Sequence, residues 1–98
     1  MITDPVEDAI CAAVTRFSRA LENRLLDNIE RKGISWRTLT LNDLILKYQQ
    51  EHTDLMRSLR NEKNLTAPEK RRDILDVAAL CLMLHEFFQR DVVSWDQD

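Results

Sequence analysis

Four carboxylates are the residues of this 98-residue chain whose types and spacing could perform chemistry. Glu51 and Asp54 are three residues apart, and so are Asp73 and Asp76. Residues three apart on a helix lie on the same side, about one turn from each other. If both pairs lie on helices, each helix therefore presents two carboxylates on one face.

These carboxylates interrupt apolar patterns, which is unusual for residues that face solvent. Glu51 follows Tyr48 by three residues and precedes Leu55 by four, and Asp76 precedes Leu80 by four. A buried carboxylate without a partner costs several kcal/mol, or its pKa rises until it is neutral. A divalent cation relieves this cost, and ligands that are all oxygen favour Mg²⁺, Mn²⁺ or Ca²⁺ over Zn²⁺. We therefore predict one metal site made of the four carboxylates.

A solvated acidic helix face is the alternative interpretation, with nearby basic side chains neutralising part of the charge. The register of two antiparallel helices favours a single metal site. If a turn near residues 63–64 joins two antiparallel helices, residues at the same height have numbers that sum to roughly 127. The numbers of Glu51 and Asp76 sum to 127, and so do those of Asp54 and Asp73. Four carboxylates at one level repel each other strongly unless a cation lies between them.

The elements that must position these residues are helices, because apolar residues recur at helical spacing along most of the chain. The predicted helices cover residues 4–32, 41–60 and 67–90. Asp4, Thr40 and Thr66 are the predicted capping residues, and Asp43 and Glu69 complete capping boxes in the second and third helices.

The fold class that follows is all-α, with a single domain over residues 1–98. The second and third helices should form an antiparallel hairpin around a polar turn at residues 60–65. From Ile74 to Phe88 the third helix is apolar almost all round, which predicts a central, buried helix. Because three helices rarely cover such a helix, we predict that a homodimer or homotetramer completes the bundle.

Composition and charge argue against several classes of protein. A net charge of −3 is atypical of a general nucleic-acid binder, and the apolar runs are too short to span a membrane. The first residues lack the basic and apolar regions of a signal peptide. The two cysteines, Cys11 and Cys81, have no CxxC spacing. We interpret them as reduced core residues of a cytoplasmic protein.

The acidic pattern resembles that of the MazG-like, all-α nucleotide pyrophosphohydrolase superfamily, whose signature is E-x-x-E, a similar gap and E-x-x-D on two antiparallel helices. Residues 46–55 are similar to its Lys-containing "KLxEExxEL" helix, and residues 73–84 to its "EaaDVANfamML" helix. Asn28 and residues 32–36 are similar to the "N…KGGW" segment of the phage-type branch, whose relatives include dATP/dGTP diphosphohydrolases. The resemblance covers roughly residues 20–88.

The resemblance implies an enzyme that hydrolyses an NTP or dNTP to the nucleoside monophosphate and pyrophosphate. The four carboxylates would be its catalytic residues and would hold Mg²⁺, with Mn²⁺ as a possible replacement. The residues implied to contact substrate are Lys47, Lys32, Trp36 and Asn28. Lys47 could instead orient a carboxylate, since it lies one turn before Glu51, and Trp36 could instead pack the connector.

Four positions depart from the family pattern. Gln50 stands where a second Glu is frequent, Asp54 and Asp73 are each one methylene shorter than the usual Glu, and Ala79 replaces a frequent Asn. These departures leave two other functions open. One is a catalytically weak or inactive helical interaction protein, for instance a phage- or toxin-system-associated regulator. The other is a structural oligomeric bundle with no ligand.

Overall fold

The computed structural model of this protein describes residues 4–32, 38–62 and 64–89. They form three helices, α1 (Pro5–Lys32), α2 (Leu41–Leu59) and α3 (Ala67–Gln89). The described ranges contain no strand, so the all-α prediction is confirmed. Within these ranges α3 packs against both α2 and α1, whereas α1 and α2 do not contact each other. The third helix is therefore the central one, as predicted.

Side-chain caps define where the helices begin. The Asp4 carboxylate accepts a hydrogen bond of 2.8 Å from a backbone amide in the first turn of α1. At α2, the Asp43 amide donates to the Thr40 hydroxyl at 3.2 Å, and the Thr40 amide donates to the Asp43 carboxylate at 3.1 Å. Thr66 and Glu69 form the same reciprocal pair at α3, at 3.4 Å and 3.2 Å. These bonds satisfy amides that have no partner within the helix, and both predicted capping boxes are confirmed.

A Schellman motif ends α2, and it was not predicted from the sequence. The Asn61 amide donates to the Ser58 carbonyl at 3.2 Å, and the Glu62 amide donates to the Arg57 carbonyl at 3.0 Å. Asn61 has a φ of 61°, and Asn64 has a φ of 53°. Asparagine tolerates this left-handed region better than most residues, so a sharp turn forms here without glycine.

The fully buried residues lie in α2 and α3. Leu44 is 1% exposed and Ser58 is fully buried on α2, while Ala79 and Leu80 are buried on α3. Burial of α3 is nevertheless incomplete within one chain, because Ile74 is 38% exposed and Phe88 is 55% exposed. The expectation of a helix buried on every side is therefore not met by the single chain.

The interpretation of Cys11 and Cys81 as core residues is wrong. Both are exposed free thiols. Cys11 lies in the first half of α1, where every residue from Pro5 to Arg19 is exposed. Cys81 directly follows the buried Leu80, and one residue along a helix turns a side chain by about 100°. Helical spacing identified an apolar helix but not the side that another helix covers.

Gly33, which follows the predicted first helix over residues 4–32 and would stop it, lies outside the described residues. Among the helices that are described, none is long and apolar enough to cross a membrane.

Candidate functional site

Glu51 lies on the face of α2 that is buried. Leu44, Glu51 and Ser58 are spaced by seven residues, which is about two helical turns, so they share one side of the helix. Leu44 and Ser58 are both buried, and Glu51 is half-buried between them. Asp54, one turn after Glu51, is half-buried as well. The interruption of the apolar stripe therefore places two carboxylates in partly covered positions.

The Ser58 hydroxyl is a second polar group on this face. Its oxygen is buried and has no hydrogen-bond partner among the described residues. An unpaired buried hydroxyl destabilises a fold by about 1–3 kcal/mol. The buried face of α2 thus contains an acid and a hydroxyl where aliphatic side chains would stabilise the packing more.

On α3, Asp76 occupies an equivalent position. It precedes the buried Ala79 by three residues and the buried Leu80 by four, so it lies one turn before both on the covered side. Asp73 lies one turn earlier and is also half-buried. Each of the four predicted carboxylates is therefore partly shielded from water, in agreement with their interpretation as more than a solvated acidic face.

The partner of Asp76 is Arg24 of α1, a residue that we did not single out from the sequence. The Nε atom of Arg24 donates to Oδ1 of Asp76 at 2.8 Å, and its Nη2 atom donates to Oδ2 at 3.2 Å. The side chains are 20% and 18% exposed. Such a two-pronged bond between guanidinium and carboxylate is the strongest form of side-chain ion pair.

Two more carboxylates act on the same guanidinium. The hydrogen bond with Asp76 is the main cause that raises the pKa of Arg24 above its usual value, and burial opposes it. The negative charges of Asp76, Asp27 and Glu51 raise this pKa further. Asp27 lies one turn along α1, with 3.9 Å between its Oδ2 atom and Nη1 of Arg24. Asp76 of α3 and Asp27 of α1 therefore lie next to the Arg24 side chain, and Glu51 of α2 makes the smallest of the electrostatic contributions.

The carboxylates suit a divalent cation by their donor chemistry, since partly buried carboxylate oxygens are the ligands that Mg²⁺ and Mn²⁺ prefer. To hold one ion, the carboxylates must also lie close together. Within residues 4–32, 38–62 and 64–89, no three His, Cys, Asp or Glu residues are grouped so that they could hold one metal ion. Asp76 is instead paired with Arg24.

Two open grooves adjoin these residues. One, of about 490 Å³, lies along α2 and contains Glu51 and Asp54 together with the amide side chains of Gln49 and Gln50. All the residues that line it belong to α2, so it is a shallow surface groove and not an enclosed cavity. The polar groups that line it include acceptors and donors for hydrogen bonds, which a nucleotide base or sugar would need.

The second groove, of about 480 Å³, lies between α1 and α3. Arg24, Arg71 and Arg72 line it together with Asn23 and Asp27. Asp76 already neutralises Arg24, so Arg71 and Arg72 against Asp27 leave the groove a small excess of positive charge, which attracts anions such as phosphates. Because Arg24 lines this groove and also binds Asp76, it connects the basic groove with the acidic residues.

The predicted substrate-binding residues are only partly placed. Lys47 is exposed on α2, one turn before Glu51, and Asn28 is half-buried near the end of α1. Lys32 is the last residue of α1, but its side chain is not among those described, and Trp36 lies outside the described residues.

A signal for Arg24 was present in the sequence. Phe17, Leu21 and Leu25 follow the apolar stripe of α1, and Arg24 falls on the same stripe, seven residues after Phe17. A charged residue at a position where the pattern calls for an apolar one needs a partner of opposite charge. The same reasoning that selected Glu51 and Asp76 would have selected Arg24.

Comparison with known proteins provides no relative for this chain: no protein-family model, curated protein or solved structure matches it.

Proposed function

We propose that this protein is a Mg²⁺-dependent nucleotide pyrophosphohydrolase that converts an NTP or dNTP to the nucleoside monophosphate and pyrophosphate. The observation that supports it best is the arrangement around Arg24. Glu51 of α2 and Asp76 of α3, which the register of a hairpin predicts to lie level, both act electrostatically on this one cation. Asp76 binds Arg24 directly and Glu51 adds a smaller electrostatic attraction, so acidic residues of α2 and α3 both act on one positive charge.

The resemblance of the two acidic helices to those of MazG-like enzymes supports the same function. In this proposal Glu51, Asp54, Asp73 and Asp76 hold Mg²⁺. When bound, the ion would offset the charge of the phosphates and lower the pKa of a bound water. The role of the four carboxylates would be to hold this ion, and each is kept in a partly buried position on a helix.

The other predicted residues would contact the substrate. Lys47, exposed one turn before Glu51, would contact a phosphate or orient that carboxylate. Asn28, Lys32 and Trp36 would contact the nucleoside, as the resemblance to the phage-type branch suggests. In the reaction the oxygen of one water molecule bonds to a phosphorus atom of the α–β phosphoanhydride, the bridging P–O bond of that phosphorus breaks, and a proton is released as the nucleoside monophosphate and pyrophosphate form.

The proposal includes an antiparallel α2–α3 hairpin and a bundle completed by a homodimer or homotetramer. The exposed apolar side chains favour such an assembly. Val6, Ile10 and Val14 of α1 are each more than half exposed, and so is Phe88 of α3. Val6, Ile10 and Val14 are four residues apart and so form one exposed apolar stripe, and large exposed apolar patches are typical of interaction surfaces.

A catalytically inactive helical interaction protein is the second candidate, and two specific observations favour it. The ion pair between Arg24 and Asp76 already supplies the acidic residues with a cation, so no metal is needed for stability. Ala79 is 2% exposed, so its methyl group is packed in the core and offers no polar contact to a nucleotide where the related enzymes have Asn. On this reading the fold binds a partner without metal.

Release of pyrophosphate distinguishes the two candidates. The wild-type chain, Asp76→Asn and Asp8→Asn are incubated with a panel of NTPs and dNTPs in Mg²⁺ or Mn²⁺. Asp8→Asn is a matched control, because Asp8 is exposed in the first turn of α1. We expect turnover of at least one nucleotide, a loss of about a hundredfold or more in Asp76→Asn, and no change in the control. Turnover by no member of the panel would refute the enzyme and leave the interaction protein.

A further inference from the structure

The chain exposes more surface than a compact folded monomer does. Its accessible surface is 7613 Å², whereas a compact monomer of this mass has about 5,800 Å². Its radius of gyration is 16.1 Å, against about 13 Å for a compact domain of 98 residues. A standard protein–protein interface buries about 800 Å² on each partner. The excess surface of about 1,800 Å² is therefore large enough for a stable dimer.

The first half of α1 contains an apolar part of this surface that is regularly spaced. Val6, Ile10, Ala13 and Phe17 are separated by four, three and four residues, and all of them are exposed. Alternating spacings of four and three residues place side chains in one line, which two helices bury when they pack side by side. We call these four residues the α1 seam. The next residue on the same line, Ala20, is half-buried and lines the groove with α3, so the seam ends where α3 begins to cover α1.

The sizes of its residues make the α1 seam complementary to itself. In an antiparallel pair whose facing residues have numbers that sum to 23, Ile10 faces Ala13 of the second copy and Val6 faces Phe17 of the second copy. Each layer then combines a larger side chain with a smaller one, as close packing requires. A parallel pair would place Phe17 beside Phe17 and Ala13 beside Ala13, which crowds one layer and leaves a gap in the next.

The charges on this half of α1 favour the same direction. Glu7 and Asp8 lie near the beginning of the α1 seam, and Arg16 and Arg19 lie near its end. In the antiparallel register Glu7 is level with Arg16 of the second copy, so the acidic end of each helix lies beside the basic end of the other. A parallel pair would bring like charges together, which repel each other.

We propose that the first half of α1 packs antiparallel against the same segment of a second copy of this chain, through the α1 seam. The inference rests on the homo-oligomer of the proposed function and adds the face and the register of its interface. It needs neither metal nor nucleotide. A two-fold axis relates the copies, so the interface closes on itself as a dimer. Arg24 lies beyond the seam and keeps its bond to Asp76, so pairing and packing on α3 use different parts of α1.

The first experiment is sedimentation equilibrium of the wild-type chain, Ala13→Glu and Ala12→Glu. Both alanines are exposed within one chain, so neither change disturbs its fold, which circular dichroism checks. Ala13→Glu should weaken self-association by more than tenfold, because it buries an unpaired carboxylate against Ile10 of the second copy. Ala12→Glu is the matched control, because residue 12 lies on the other side of the helix, and it should associate like the wild type. Equal association of all three chains would overturn the pairing.

The second experiment measures the direction of the pair with spin labels. Cys11 is exposed and lies outside the α1 seam, so it can be labelled in Cys81→Ser. The second label is placed on Arg19→Cys in a chain that also carries Cys11→Ser and Cys81→Ser. With a rise of about 1.5 Å per residue, the antiparallel register separates the two copies of residue 19 by about 22 Å along the axis, and those of residue 11 by about 2 Å. Double electron–electron resonance should therefore give a distance roughly 10 Å longer for residue 19. Equal distances would overturn the antiparallel pair.

The outcomes separate this inference from the proposed activity. Pyrophosphate release by a chain whose association is insensitive to Ala13→Glu would overturn the pairing alone. A dimer with the expected label distances and no pyrophosphate release would support the pairing and refute the enzyme. A wild-type chain that is monomeric at all concentrations would overturn both the pairing and the proposed assembly.

Discussion

The two halves of α1 have the same apolar periodicity but very different surroundings. From Pro5 to Arg19 every residue is exposed, including Ile10 at 56% and Val14 at 57%. From Ala20 onwards the stripe becomes half-buried, and Arg24 on this stripe binds Asp76 of α3. The exposure of the two halves differs because of the residues that pack against each half, and not because of their own apolar spacing.

Packing within one chain therefore covers part of the second half of α1 and leaves the first half exposed. Packing of an apolar face provides most of the stability of a helix, and within one chain only the second half of α1 has such packing. A second copy of the chain is the partner that our proposal assigns to the first half.

The largest effect is expected from charges in the uncovered half. Ile10→Glu combined with Val14→Glu should weaken self-association by more than a hundredfold, because burying unpaired carboxylates in an interface costs several kcal/mol. Sedimentation equilibrium over a range of concentrations measures this. Ala12→Glu is the control, because residue 12 lies on the opposite side of α1 from Ile10 and is exposed. A wild-type chain that is monomeric at all concentrations would contradict the assignment of a second copy.

Removal of a buried side chain shows how much a covered apolar residue contributes to the free energy of unfolding. Leu44→Ala should lower the free energy of unfolding by about 3 kcal/mol, because it deletes buried methyl groups and leaves a cavity. Val14→Ala, measured in the dissociated chain, should lower it by less than about 0.5 kcal/mol. Urea denaturation monitored by circular dichroism gives both values. Similar losses in the two variants would mean that the first half of α1 is covered within one chain.

Replacement of Arg24 tests whether its ion pair with Asp76 holds the second half of α1 against α3. Arg24→Leu should destabilise the chain by about 1–2 kcal/mol without metal, because Asp76 is left partly buried without a counterion. Arg19→Leu, on the exposed half, should change stability by less than about 0.5 kcal/mol. Thermal and urea denaturation compare the variants. A neutral or stabilising Arg24→Leu would show that the ion pair does not hold α1 against α3.

The smallest effect concerns the caps of α2 and α3. Hydrogen bonds from Thr40 and from Thr66 lower the pKa of Asp43 and of Glu69, respectively. Their stabilisation is therefore complete above the unfolded-state pKa of about 4 and is lost as the pH falls through the lower folded-state values. Asp43→Asn should reduce this acid-dependent loss, which urea denaturation at several pH values measures. An unchanged pH profile would indicate that the cap contributes nothing that depends on charge.

The sequence by itself determined the local features of this protein. The three helices and both capping boxes depend on residues three or four apart, so they could be predicted from spacing alone. The partial burial of Glu51 and Asp76 followed from their positions within apolar stripes. Such features are encoded within one or two helical turns, where the side chains involved are neighbours in sequence.

Tertiary structure decided the rest, because it depends on which faces of the helices meet. The partner of Asp76 is 52 residues away in sequence, and only the packing of α1 on α3 brings Arg24 to it. The same packing leaves Cys11 and the first half of α1 exposed although their spacing resembles that of core residues. Helical periodicity predicts which side of a helix is apolar. The way the helices cross decides which part of that side another helix covers.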